Sequence, residues 1–90
     1  MTYRRPSELR FHRMPLGEGY RVPSPDPQHF IYLTRFLQGW DVTLQYEGPD
    51  SVIPLRYGSS FAPNFAQAKE NARRLYAGIS ELLAAGEEIP

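Results

Sequence analysis

The chain has 90 residues, no cysteine and ten acidic against ten basic side chains, a length typical of one domain. The missing cysteine excludes disulfides and thiolate metal sites, while 41% hydrophobic and 13% aromatic residues indicate a globular rather than a disordered chain. No apolar run reaches the roughly 18 residues of a membrane span, and "MTYRRPSELR" lacks the apolar segment of a secretory signal, so we expect a cytoplasmic protein that does not enter the membrane.

The charge is unevenly distributed along the chain. Residues 1–35 contain six arginines against three carboxylates, whereas residues 36–90 contain four basic and seven acidic side chains. Attraction between the two parts within one fold explains this distribution. The alternative is a basic arm that meets an acidic partner or a phosphate backbone.

Residues 1–28 contain five prolines, which interrupt regular structure. Between them, "LRFHRM" and "YRV" alternate as strands do, and "PLGEG" supplies glycines for a turn, so a short hairpin is one prediction. The alternatives are an ordered arm over the domain and a flexible tail. We therefore divide the chain into a proline-rich basic arm, 1–28, and a β-β-β-α domain, 29–90.

The segment "SPDPQHFIYLTRFLQG" has two interpretations. As a helix, it would begin at the N-cap Asp26 with Pro27 in its first position and end before Gly39. As a strand, its alternating side chains, Phe30 and Tyr32 among them, fit a pleated sheet. We favour the strand for 27–38 and leave the helix as the alternative.

The next two segments predict strands. "WDVTLQY" places Trp40, Val42, Leu44 and Tyr46 on one face and three polar side chains on the other, as in a half-buried strand. "EGPD" predicts a turn, and "SVIPLRY" a second strand. Because Pro54 cannot donate to a ladder, this second strand should be an edge strand or contain a bulge at Pro54. "GSSFAPN" then predicts a loop.

The C-terminal segment predicts one long helix. Asn64 is a suitable N-cap, and Gly86 suits the position just after the helix. One apolar stripe recurs at helical spacing: Phe65, Ala68, Ala72, Leu75, Tyr76, Ile79, Leu82 and Leu83. We expect this stripe to cover the apolar face of the sheet. The predicted fold is α+β, with two to three antiparallel strands packed against one helix.

No catalytic or metal motif is present. A zinc site needs at least three ligands, and neither His12 nor His29 has a second histidine at helical spacing. The serines of "GSSF" lack the strand–turn–helix pattern of a nucleophile, and "GEG" lacks the lysine of a phosphate loop. We expect neither enzymatic activity nor a cofactor.

Binding surfaces are the remaining candidates. The chain carries more aromatic side chains than one helix-covered face of a small sheet can bury, so some should be exposed or covered by the arm. Exposed tyrosine and arginine are favoured at protein interfaces. We therefore predict partner-binding residues on the arm and on the sheet edge: Arg4, Arg5, Arg10, Arg13, Arg56 and Tyr57. The predicted partner is another protein, with nucleic acid as the alternative and a homodimer left open.

The closing segment "FAQAKENARRLYAGISELLAAGEEIP" resembles the end of a HicB-type antitoxin domain, in which a small antiparallel sheet is followed by an alanine-rich helix. Ala68, Asn71, Ala72 and Gly86 stand in comparable places, and Gln67 replaces the glutamate that the family usually has there. The resemblance implies a non-catalytic domain that binds and masks a small toxin ribonuclease.

The β-β-β-α order is also similar to that of the double-stranded RNA-binding domain. That family places paired lysines at the start of its last helix to meet phosphates. Here "APNFAQAK" supplies Lys69 alone. The missing lysine pair counts against this family. Because the basic arm can still attract phosphates, nucleic-acid binding through the arm and the sheet is the alternative function.

Overall fold

A computed structural model describes residues 9–14, 19–49 and 55–87. These residues form one antiparallel sheet with five strands in the order β1-β2-β3-β4-β5, followed by one helix. The elements are β1 (His12–Arg13), β2 (Gly19–Pro23), β3 (His29–Phe36), β4 (Gly39–Tyr46), β5 (Leu55–Ala62) and α1 (Phe65–Ala84). The fold is therefore α+β as expected, but the prediction of two to three strands was wrong.

The two additional strands come from the proline-rich segment. His12 pairs with Arg21 and Arg13 with Tyr20, so β1 and β2 are antiparallel neighbours, as the hairpin interpretation proposes. β2 in turn pairs with β3 along its whole length, from Gly19 opposite Thr34 to Pro23 opposite Phe30. Prolines do not prevent this pairing because Pro23 lies at the end of its strand, where a missing N–H is tolerated.

Residues 29–36 are a strand, which confirms the favoured interpretation of this segment. The cap chemistry of Asp26 is also present, but it serves a turn. The Asp26 carboxylate accepts from the Gln28 backbone N–H at 3.2 Å, and the His29 N–H donates to the Asp26 carbonyl at 3.1 Å. An aspartate before a proline is compatible with the start of a helix and with a turn before a strand. Here the alternating apolar side chains of β3 favour the strand.

β5 extends further than the sequence predicts. It runs over Leu55–Ala62, so the segment predicted to be a loop after residue 57 continues the strand. Ser59 pairs with Thr43 and Tyr57 with Leu44, which leaves Gly58 as the extra residue of a bulge. The sequence did not predict this bulge at Gly58; the bulge expected at Pro54 lies outside the described residues, and the alternative, an edge position, agrees with β5 as an outer strand of the described sheet. Pairing along β4 overrides the turn preference of glycine and serine.

α1 packs across one face of the sheet, which we call the covered face. Its core consists of side chains that are at most 5% exposed: Val22, Ile31, Leu33, Val42, Leu44, Ala62, Ala68, Ala72, Tyr76 and Ile79. α1 contributes Tyr76 and Ile79 together with two fully buried alanines, Ala68 and Ala72, whose small side chains let the helix approach the strands closely. The predicted contact between helix and sheet is confirmed.

Both ends of α1 are capped as predicted. The Asn64 side chain accepts from the Gln67 backbone N–H at 2.8 Å. At the other end Gly86 has a φ of +75°, and its N–H donates to the Leu83 carbonyl. Glu87 donates to the Leu82 carbonyl, which completes a Schellman motif.

Candidate binding surfaces

The predicted partner-binding arginines of the first segment are described in part. Arg4 and Arg5 lie outside the described residues. Arg10 is exposed just before β1 and lines a cavity of about 380 Å³. Arg13 lies in β1, is also exposed, and lines a separate cavity of about 220 Å³. These two neighbours therefore border different cavities.

Arg56 and Tyr57 lie in β5, where their backbones pair with Gln45 and Leu44. β1 and β5 are the two outer strands of the described sheet, with three strands between them. The two outer strands are thus about 19 Å apart across the sheet, given a strand spacing of roughly 4.8 Å. Of the predicted residues that the structure describes, Arg13 therefore lies in one outer strand, and Arg56 and Tyr57 lie in the other.

The face of the sheet opposite α1, on which no described element packs, we call the open face. A connected cluster of four side chains lies on it. The Arg21 guanidinium lies 3.6 Å from the centre of the Phe30 ring and donates to both Glu47 oxygens at 3.4 Å. The Tyr32 hydroxyl donates to the same carboxylate at 2.5 Å. Arg21 therefore stacks on an aromatic ring while its charge is partly neutralised.

The open face is less exposed to solvent at β4 than the sequence predicts. Thr43 is one of the three polar side chains of β4 that the sequence predicts on the solvent-exposed face, but it is only 2% exposed. Its hydroxyl accepts a hydrogen bond from the Gln45 amide at 3.2 Å. Burial raises the pKa of the Tyr32 hydroxyl, and the hydrogen bond to Glu47 raises it further. Both causes favour the neutral form of Tyr32, whose hydroxyl donates to Glu47.

One end of the open face is apolar and exposed; we call it the apolar end. Phe36, Leu37 and Phe61 are 54%, 106% and 60% exposed. Phe36 pairs with Gly39, and a Cβ added to Gly39 would lie 2.6 Å from the Phe61 ring, so the three residues share one corner. The expectation that some aromatic side chains are exposed is confirmed at this corner.

Gly39 makes that corner possible. Its φ of +151° is one that residues with a side chain rarely adopt. A Cβ there would also lie 2.5 Å from the Ala62 carbonyl oxygen. The glycine therefore lets the start of β4 lie beside the end of β5 and leaves room for the Phe61 ring.

A second group of aromatic side chains lies on the covered face, where α1 begins; we call it the aromatic cluster. The centre of the Phe65 ring lies 4.8 Å from both the Tyr20 and the Trp40 ring centres. Tyr20 and Trp40 are 6.1 Å apart. All three are half-buried and border the cavity of about 220 Å³.

The only grouping of serine, aspartate and histidine that stands out among the described residues lies in the turn before β3. His29 Nδ1 and the Asp26 carboxylate are 2.5 Å apart. The Ser24 hydroxyl, however, donates to the Asp26 carbonyl at 2.8 Å and accepts from the Asp26 N–H at 3.1 Å. Its hydrogen bonds go to the backbone and none is made to the imidazole, so this arrangement stabilises a turn.

The described residues contain no group of three histidine, aspartate or glutamate side chains placed to hold a metal ion. Within residues 9–14, 19–49 and 55–87, no helix combines the length and apolar character that a membrane crossing requires. Comparison with known proteins adds nothing to the geometry: no protein-family model, no curated protein and no solved structure matches the chain.

Sequence reasoning did not find the cluster on the open face. Arg21 and Glu47 are 26 residues apart, and only the β2–β3–β4 register brings them together. The alternation of β3 did carry a signal, because it places Phe30, Tyr32 and Phe36 on one face. Once the segment is treated as a strand, these residues are expected opposite the buried Ile31 and Leu33.

Proposed function

We propose that the chain is a non-enzymatic protein-binding module that holds its partner on the open face, with the apolar end as the main contact. The observation that carries this proposal is the exposure of Phe36, Leu37 and Phe61 at one corner. Clustered exposed apolar side chains are typical of interaction sites on small proteins.

The neighbouring cluster fits the polar part of such an interface. Arg21 and Tyr32 belong to the residue types that are enriched where proteins meet, and both are held in place by Glu47. A partner therefore meets side chains that lose little freedom on binding. This reduces the entropic cost of association.

The resemblance of the closing helix to HicB-type antitoxin domains supports an inhibitory form of this function. In that form the partner is a small ribonuclease, and the chain masks it by stoichiometric binding. The proposal of a protein partner depends on the open face alone and does not depend on the resemblance.

Affinity purification from the native host tests the protein-binding proposal. The tagged wild type should recover one protein in stoichiometric amount, and moderate salt should change the yield little because the contact is apolar. The double variant Phe36→Ser/Leu37→Ser should lose that protein. Glu81→Ser, on an exposed position of α1, is the matched control and should retain it.

Two further results separate the parts of the proposal. If the double variant recovers the protein as well as the wild type does, the apolar end is not the contact. If the recovered protein cleaves RNA and added chain does not suppress cleavage, the inhibitory form fails while the binding function stands. Turnover of a small substrate by the isolated chain would refute the non-enzymatic proposal.

A further inference from the structure

The cavity beside the aromatic cluster is framed by two pairs of an arginine and an aromatic residue. Arg13 on β1 pairs with Tyr20 on β2, and Arg35 on β3 pairs with Trp40 on β4. Side chains directly opposite each other on antiparallel strands share one face, so both arginines stand beside the aromatic rings. All four border the same cavity of about 220 Å³, together with Phe65.

The aromatic rings form a rigid platform. Tyr20, Trp40 and Phe65 each pack against the core while remaining partly accessible. The Tyr20 and Phe65 rings stack with an interplanar angle of 28°, and Trp40 is tilted by 35° to Phe65. A planar ligand can therefore contact ring surface that is already ordered before binding.

Three basic side chains lie beside this platform. Arg13 and Arg35 are both exposed, and Lys69 Nζ lies 5.0 Å from the centre of the Phe65 ring. Among the described residues that line the cavity, none is acidic. Because β2 lies between β1 and β3, the backbones that carry Arg13 and Arg35 are about 10 Å apart. We expect the two long side chains to reach neighbouring phosphates of one nucleic-acid strand.

We propose that the aromatic cluster, with Arg13, Arg35 and Lys69, is a binding site for single-stranded nucleic acid. A base stacks on the exposed ring surface, and the flanking phosphates bind the three cations. This site lies on the other face from the apolar end and does not depend on the protein-binding function.

The chemistry of the site favours a strand over a free nucleotide or an acidic peptide. Recognition of one free nucleotide needs hydrogen-bonding groups for its base edge, and the described lining offers rings and charges instead of amides. An acidic peptide would match the cations but would leave the aromatic surface unused. Stacking combined with charge is the way in which proteins hold single strands without reading their sequence.

Trp40 provides the measurement, because it is the only tryptophan in the chain and belongs to the platform. Its fluorescence should be quenched saturably by an oligothymidylate of about eight nucleotides, within the usual size of such sites. The apparent Kd should rise steeply with salt, since binding to a single strand releases about 0.7 counterions for each phosphate neutralised.

The variant Arg13→Gln/Arg35→Gln removes two cations and keeps the side-chain hydrogen-bonding character. Its slope of log K against log salt should be shallower by about 1.4 than that of the wild type. Tyr20→Leu, which preserves apolar bulk, should weaken binding roughly tenfold at every salt concentration. Arg74→Gln, an arginine of α1 that does not line the cavity, should bind as the wild type does.

Three results would overturn the proposal, provided that each variant melts within a few degrees of the wild type. The first is the absence of saturable quenching at about 10⁻⁴ M oligonucleotide, the weak end of non-specific affinity. The second is equal binding by thymidine monophosphate, which would make this a free-nucleotide site. The third is equal binding by polyglutamate, which would make it a surface for acidic proteins.

Discussion

The two faces of the sheet are built from the same strands but are held in different ways. On the covered face, Ile31, Leu33 and Val42 are at most 2% exposed and pack against α1. On the open face, their strand neighbours include Tyr32, which is bonded to Glu47. The side chains of the covered face are thus held by dense apolar packing. Those of the cluster on the open face are held by hydrogen bonds and by the guanidinium of Arg21 stacked on Phe30.

This difference suggests that the covered face mainly stabilises the fold and that the open face is available for binding. Apolar burial is the dominant favourable contribution to folding, and the buried apolar core of the described residues lies between the sheet and α1. The open face carries an ion pair whose side chains are 41% and 24% exposed, which contributes little to stability. Substitutions on the open face are therefore expected to change binding, and those on the covered face to change folding.

The largest expected effect comes from comparing two leucines four residues apart. Leu33 is fully buried on the covered face, and Leu37 is fully exposed at the apolar end. Leu33→Ala should lower the free energy of unfolding by about 2–5 kcal/mol, because it removes core contacts and leaves a cavity. Leu37→Ala should change it by less than about 0.5 kcal/mol. Urea unfolding measures both, and equal losses would refute the division between the faces.

The next effect concerns the close approach of α1. Ala72 is fully buried at the contact with the sheet, whereas Ala66 is exposed on the same helix. Ala72→Leu should destabilise the fold by about 1–3 kcal/mol through overpacking. Ala66→Leu should be close to neutral, since both residues are good helix formers. Thermal unfolding distinguishes them, and an undamaged Ala72→Leu variant would mean that α1 is packed loosely.

A smaller loss is expected at the start of α1. Asn64→Ala removes the acceptor for the Gln67 N–H and should cost about 1 kcal/mol. Asn64→Gly should cost only a few tenths, because glycine leaves the N–H groups open to water. Denaturant unfolding of the two variants provides the test. Identical losses would show that the side-chain hydrogen bond contributes nothing.

The smallest effect is a titration on the open face. The pKa of Tyr32 is raised above 10.0, first by burial and then by Glu47. The stability that this shift contributes is present below pH 10 and is lost as the pH rises through the folded-state pKa. The ultraviolet difference between the wild type and Tyr32→Phe should show this titration above pH 10. Glu47→Gln should move the titration of Tyr32 to lower pH, because Glu47 raises the pKa of its hydroxyl. An unchanged titration would exclude Glu47 as a cause of the raised pKa.

α1 and β4 could be predicted well from the sequence, because the periodicity of their apolar residues is a local signal. An N-cap, an apolar stripe and a terminal glycine act within a few residues of each other, so α1 could be predicted almost to its ends. β5 could not, because its glycine and two serines prefer turns in isolation. Only pairing with β4 extends the strand through them.

The candidate sites were predicted less well for a related reason. Charge and residue type pointed to arginines, but among the described ones Arg13 and Arg56 lie in opposite outer strands of the sheet. The aromatic cluster joins Tyr20, Trp40 and Phe65, which are 20 and 25 residues apart along the chain. No spacing rule connects such positions. They meet because β2 and β4 flank β3, and α1 begins beside them.

The central claim is that the covered face holds the fold while the open face receives the protein partner. Backbone amide shifts of the labelled chain, recorded during titration with the co-purified partner, test it most directly. The account predicts that the perturbed amides lie in 36–39 and 59–62, at the apolar end. Perturbations confined to the outer side of α1, around Glu70, Arg74 and Glu81, would contradict it.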